Sequence, residues 1–142
     1  MPGPEVVNPA LGTALKHGVA AVYTTIAQVI SLDGPSREVG TRETTTLSST
    51  AKTYAPTIPD SGEVSGQLAY DPKGTSHTIL EGLIKTPVAD QEWEIAFADA
   101  TNGPTMAQFL GILTKFAPTG IEVEANLLAD FTIKVSGLVT MV

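Results

Sequence analysis

The sequence predicts a mainly β fold, an antiparallel sandwich or barrel with one inserted α-helix at about residues 72–86. Three observations predict it. Apolar and polar residues alternate in several short runs, most clearly Trp93, Ile95 and Phe97 against Glu92 and Glu94. Turn chemistry separates the runs: Asp33-Gly34-Pro35, Asp60-Ser61-Gly62, Asn102-Gly103-Pro104 and Pro118-Thr119-Gly120. Helical spacing shows in one place, where Ile79, Leu80, Leu83 and Ile84 make an apolar stripe that Pro87 stops.

Residues 1–18 read as a flexible N-terminal arm. Proline and glycine are frequent there, and such termini are mobile until docked. His17 falls in this arm. Residues 19–142 read as one β domain, with a long loop or hairpin at about 33–62.

Within that domain, residues 19–31 form the first expected strand, rich in Val, Tyr, Thr and Ile. Residues 41–50 have strand-forming composition, yet both alternating faces are polar and neither would make a core. Two readings stand for this run. It is a solvated hairpin, or it is a strand whose edge pairs with a neighbouring subunit. Residues 51–62 read as a loop. Residues 63–70 alternate, with Val64, Gly66, Leu68 and Tyr70 on one face.

Asp71-Pro72 then reads as a helix start, because Asp caps free N–H groups and Pro fits the first helical position. Strands follow at 91–99, 106–115, 121–126 and 131–138. The last places Phe131, Ile133 and Val135 on one face. Trp93, Phe97, Phe131 and Tyr70 are the expected core aromatics.

The 142 residues suffice for one domain, and 42% hydrophobic content supports a packed core. A net charge of −7 and a pI near 4.6 argue against a protein that grips nucleic acid, which needs clustered Lys and Arg. The absence of cysteine excludes disulfides and thiol chemistry. The N-terminus lacks the basic start and apolar run of a secretory signal. No stretch has the length and apolarity of a membrane span.

Catalytic chemistry has little support. His77 and Glu81 are four apart and share a helical face, but a zinc-protease pattern needs a second histidine, so a surface pair is expected. Glu92 and Glu94 share a strand face as paired carboxylates do in glycosidases, yet on a half-exposed strand such residues are more often a solvated face. No nucleophile elbow or phosphate-binding loop is present in the sequence. No enzyme activity, cofactor or metal is therefore expected.

At this point the order of elements resembles a known family, the tail tube proteins of long-tailed bacteriophages. The resemblance rests on residues 26–35 followed by Arg42-Glu43-Thr44-Thr45. It rests also on residues 58–64 followed by Leu68-Ala69-Tyr70-Asp71-Pro72, on residues 92–97, and on residues 131–137. It spans roughly residues 20–140, and no stretch reads as an appended immunoglobulin-like domain.

The resemblance implies a structural virion protein that polymerises as stacked hexameric rings into a DNA-conducting tube. It implies assembly in the host cytoplasm with tape-measure, tail tip and tail terminator proteins as partners. Under it, Arg42, Glu43, Thr44, Thr45, Thr46 and Leu47 are candidate inter-subunit or inter-ring contacts. The arm and residues 33–40 are further candidates.

An acidic lumen would repel passing DNA, and Glu63, Glu92, Glu94, Glu122 and Glu124 are its candidate residues. Other readings remain open from sequence: a tail terminator, a head decoration protein, a gene-transfer-agent tube, or a small β-rich binding module. The last would need exposed aromatics, and aromatics are 6% of the chain.

Overall fold

The computed structural model describes residues 12–20, 22–98, 105–119, 121, 123 and 126–142. In chain order the elements are β1 (Ala14–Val19), β2 (Val22–Thr25), β3 (Val29–Asp33), β4 (Thr41–Glu43), β5 (Tyr54–Pro56), β6 (Glu63–Ala69), α1 (Thr75–Lys85), β7 (Gln91–Ala96), β8 (Met106–Thr119) and β9 (Leu128–Met141). Seven strands join in the antiparallel order β2-β1-β7-β8-β9-β6-β3, and β4 pairs with β5.

The hairpin of β8 and β9 is the spine of the fold. Strand β7 pairs with residues 106–111 of β8, whereas β6 pairs with residues 128–134 of β9. The sheet therefore divides into two layers carried by one hairpin. The first layer is β2-β1-β7 with the start of β8 and the end of β9. The second is β3-β6 with the start of β9 and the end of β8.

Two irregularities bend the spine. Between Gln108↔Thr140 and Leu110↔Ser136, β8 advances two residues while β9 advances four. Gly137 sits in this bulge at φ 79°, a left-handed conformation that glycine adopts without a Cβ penalty. A second shift lies between Leu113 and Lys115.

Both layers contribute to one core. Leu15, Trp93 and Ile95 come from the first, Val64 and Leu68 from the second, and Phe109, Leu113, Phe131, Ile133 and Val135 from the spine. Leu80 of α1 completes it. Trp93 and Phe131 are buried as expected, while Tyr70 and Phe97 pack on the core half-buried. The Trp93 indole N–H donates to the Gly111 carbonyl at 3.3 Å.

The first expected strand is broken at a corner. Ile26 turns inward and its N–H donates to the Leu15 carbonyl at 2.9 Å. Gln28 takes φ 61°, and its carbonyl accepts from Ala69 N–H at 2.9 Å. The chain thus leaves the first layer as β2 and enters the second as β3.

Several other expectations need correction. The last part of the expected arm, from Ala14 onward, is β1, because Leu15 is fully buried and the strand pairs with both β2 and β7. His17 is likewise buried, edge-on to Trp93 with ring centroids 5.0 Å apart, and its Nε2 bonds the Gln91 side chain at 3.0 Å. The expected arm residues 1–11 lie outside the described residues.

The helix begins at Thr75 after Gly74, not at Pro72. Asp71 spends its side chain on Lys73 N–H at 3.1 Å, and its carbonyl accepts from Gly74 N–H. It therefore builds the turn before the helix.

His77 is buried beneath α1 rather than exposed beside Glu81. The described part of 121–126 is no strand, and Ile121 and Val123 are exposed. The strands at 106–115 and 131–138 both run longer than expected. The turn at 102–104 falls outside the described residues.

Candidate assembly surfaces

Residues 33–63 extend the β3–β6 pair into a two-stranded ribbon. Its rungs are Asp33↔Ser65, the Glu38↔Asp60 bridge, and β4 on β5 from Thr41↔Pro56 to Glu43↔Tyr54. Thr44 N–H then donates to the Thr53 carbonyl at 2.8 Å, and the hydroxyls of Thr44 and Thr53 bond at 2.9 Å. Thr45 Oγ1 accepts from Thr53 N–H at 2.9 Å, and Ser49 Oγ accepts from Thr46 N–H at 3.0 Å.

Hydroxyls therefore close the tip without a core, which is how a Thr/Ser run with two polar faces folds on itself. Arg42, Glu43, Thr44, Thr45, Thr46 and Leu47 all lie on this exposed ribbon. Only residues 41–43 of the 41–50 run are strand. Leu47 at the tip is fully exposed, and Val39, Tyr54 and Ile58 are exposed along the ribbon.

The candidate acidic residues do not form one patch. Glu63 is exposed on the outer face of the second layer, opposite Lys134. Ser65, Gln67, Asp130 and Thr132 share that face by register, and Gln67 Nε2 donates to Asp130 Oδ1 at 3.1 Å. Large exposed apolar side chains are absent from this part of the described face.

Glu92 and Glu94 lie on the first layer, whose outer face points away from the core in the opposite direction. Glu92 is half-buried, and Glu94 is only 3% exposed. Glu94 Oε2 accepts from Gln108 Nε2 at 2.8 Å, and Oε1 lies 3.8 Å from Lys16 Nζ. The expected solvated face is thus a packed polar row, because β7 is an interior strand flanked by β1 and β8.

Beside the row, Tyr23 packs over Gly18, where a Cβ would meet its ring. Burial, then the charges of Glu92 and Glu94, pushes the Tyr23 hydroxyl above its usual pKa of 10.0. Leu110 is exposed on this same face. Glu122 and Glu124 lie outside the described residues.

Sequence reasoning missed Lys16, Tyr23 and Gln108. The signal was the strand alternation of Leu15 and His17 with Lys16, hidden by the arm-like composition before it. A cleft of about 300 Å³ between β2 and α1 is lined by Thr24, Thr25, Gln28, Asp71 and the first turn of α1. Among the described residues no His, Asp or Glu cluster has metal-binding geometry. Among the described residues no helix is long and apolar enough to cross a membrane.

The sequence profile of the family described as phage tail tube, TTP, lambda-like, matches residues 12–142. The chain belongs to the lambda-like phage tail tube proteins. It is a structural protein of the virion's tail and not an enzyme.

Solved structures share the fold of this tail tube protein. A chain of the native gene transfer agent virion aligns with TM-score 0.75 at 13% identity, covering 96% of this chain and 99% of the other. A chain from the tail of an empty gene transfer agent particle with C6 symmetry aligns with TM-score 0.73 at 12% identity, covering 91% and 94%. A chain from the sheath/tube terminator of an extracellular contractile injection system aligns with TM-score 0.76 at 14% identity, covering 99% and 99%. No curated protein matches the chain.

Proposed function

We propose that six copies of this tail tube protein close into a ring, that rings stack into a tube, and that DNA passes through it. The observation that carries this reading is the pair of edges on the second layer that have no strand partner among the described residues. Strand β3 ends that layer on one side, and residues 112–119 of β8 end it on the other, beyond the reach of β7. Free edges invite pairing, and a head-to-tail contact that closes by rotation removes both of these edges. The C6 symmetry of a structurally similar gene transfer agent tail supports six copies.

The second layer then lines the channel. Its outer face, with Ser65, Gln67, Thr132, Asp130, Glu63 and Lys134, suits a wall facing water and polyanion. The first layer carries exposed Leu110 and a half-buried ion pair, which suits contact with protein or the tube exterior. Glu63 and Asp130 are the lumen acids of this arrangement, and Glu92 and Glu94 are outside it. With −7 on each subunit, the wall repels phosphates that a basic wall would hold.

The ribbon at residues 33–63 reaches beyond its own subunit, with Leu47 and Ile58 uncovered, and is the contact to the next ring. Tape-measure, tip and terminator proteins bind the ends of the same stack. Particles carrying Glu63→Lys should assemble normal tubes and eject DNA more slowly. Wild-type ejection rates from such particles would remove the lumen assignment.

A further inference from the structure

The two edges of the second layer differ in charge. Asp33 is the charged residue of β3, and Lys115 is the charged residue of β8 between positions 112 and 119. Both side chains are exposed, and among the described residues neither is in an ion pair within its own subunit. They stand at opposite ends of one row. Asp33 is paired with Ser65, Ser65 with Thr132, and Thr132 with Lys115, so all four share the outer face.

The two edges also run in opposite directions. Each strand in the order β8-β9-β6-β3 is antiparallel to the one before it. A β3 placed against β8 of another copy therefore continues the antiparallel sheet. Few registers are open to that pairing. Strand β7 holds β8 up to Gly111, so the five residues of β3 must pair between 112 and 119. Leu32, Leu113 and Phe116 pack on the core, whereas Ser31, Asp33, Lys115 and Ala117 share the outer face. A slip of one residue would turn Leu32 outward.

Two registers keep every face, with Ile30 and Thr114 as the extra residues of the bulges already present in β3 and β8. One sets Asp33 against Lys115, Leu32 against Phe116 and Ser31 against Ala117. The other is stepped along the strands and sets Asp33 against Ile112, Leu32 against Leu113 and Ser31 against Lys115. There Asp33 and Lys115 are diagonal neighbours, a separation that a long side chain spans. The step supplies stagger of the kind a closed barrel needs. In either register the opposite charges meet.

Given the ring proposed above, on which this contact depends, we infer that Lys115 of one subunit pairs with Asp33 of the next and so selects head-to-tail contact. Edge pairing could otherwise join like edges in two-fold dimers. Two β8 edges would bring lysine against lysine near the middle of the contact, and two β3 edges would bring together carboxylates alone. The unlike pair favours the arrangement that closes by rotation over the dimers that would stop it.

Asp33→Lys and Lys115→Asp each place like charges at every seam. Either variant alone should stay folded by circular dichroism, because both sites are exposed. Each should need about fivefold more protein than wild type, or higher, to form tubes. An equal mixture of the two should assemble at the wild-type concentration, because alternating subunits restore an opposite pair at every seam. The double reversal in one chain should do the same. Tubes of either single variant at the wild-type concentration overturn the pair. So does a mixture or a double reversal that assembles no better than the single variants. Failure of the wild-type chain to form six-fold tubes by electron microscopy instead overturns the ring itself, and the pair with it.

Discussion

His77 donates its Nε2–H to the carbonyl of Ala27 at 2.7 Å. The ring's other nitrogen accepts Asp71 N–H at 2.9 Å, which fixes the neutral Nε2–H tautomer. Ser76 Oγ takes the N–H of Ala27 at 3.0 Å. The corner peptide between β2 and β3 has left the sheet ladder, and the first turn of α1 satisfies both of its polar groups. One helix thereby holds the point where the chain crosses between layers.

Replacing His77 with Ala takes the side-chain partner from the Ala27 carbonyl and the Asp71 N–H at a part-buried corner and opens a void where the buried ring stood. The expected cost is about 2–4 kcal/mol of unfolding free energy. Urea denaturation of the monomer at neutral pH measures it. Glu81→Ala, on the exposed side of the helix, should stay within about 0.5 kcal/mol of wild type.

Two glycines separate steric from conformational demand. A Cβ on Gly66 would run into the Ser31 carbonyl and the Phe131 ring, so Gly66→Ala should cost about 3 kcal/mol or more. A Cβ on Gly137 meets nothing, and only its φ of 79° opposes substitution. Gly137→Ala should cost about 1 kcal/mol. Equal losses in thermal unfolding would contradict the bulge geometry.

Tyr23 holds its proton more tightly folded than unfolded. Its contribution to stability is complete below pH 10.0, its ordinary value, and is lost as pH rises through the raised folded value. The difference in ultraviolet titration between wild type and Tyr23→Phe isolates this phenol from the other two. Glu92→Gln should lower its midpoint, because it removes one of the neighbouring charges.

Legibility followed burial geometry. Trp93 with Ile95, and Phe131 with Ile133 and Val135, announced their strands because one face meets the core. Glu94 escaped because its cross-strand neighbours Lys16 and Gln108 cover it, and charge alone does not reveal which strands flank β7. His17 was hidden by the prolines and glycines before it. His77 was visible only through Glu81, since its true partners are a backbone carbonyl fifty residues earlier and a backbone amide outside the helix. The break at Gln28 carries no glycine or proline to mark it. The polar ribbon was correctly read as coreless, but its hydroxyl stitching depends on pairings that alternation does not encode.

Leu47 tests the ribbon. It touches no core, so Leu47→Asp should leave monomer stability within about 0.5 kcal/mol. Sedimentation should nonetheless show tubes lost or sharply shortened. Unchanged tube length would place the ring-to-ring contact elsewhere.

A cryo-electron microscopy reconstruction of tubes grown from the purified protein decides the central point. The expected map is a hollow six-fold tube with Glu63, Gln67 and Lys134 facing the channel and β3 paired to residues 112–119 of the next subunit. A channel lined instead by Glu92 and Leu110, or a protein that stays monomeric at every concentration and in the presence of tail initiators, would contradict it.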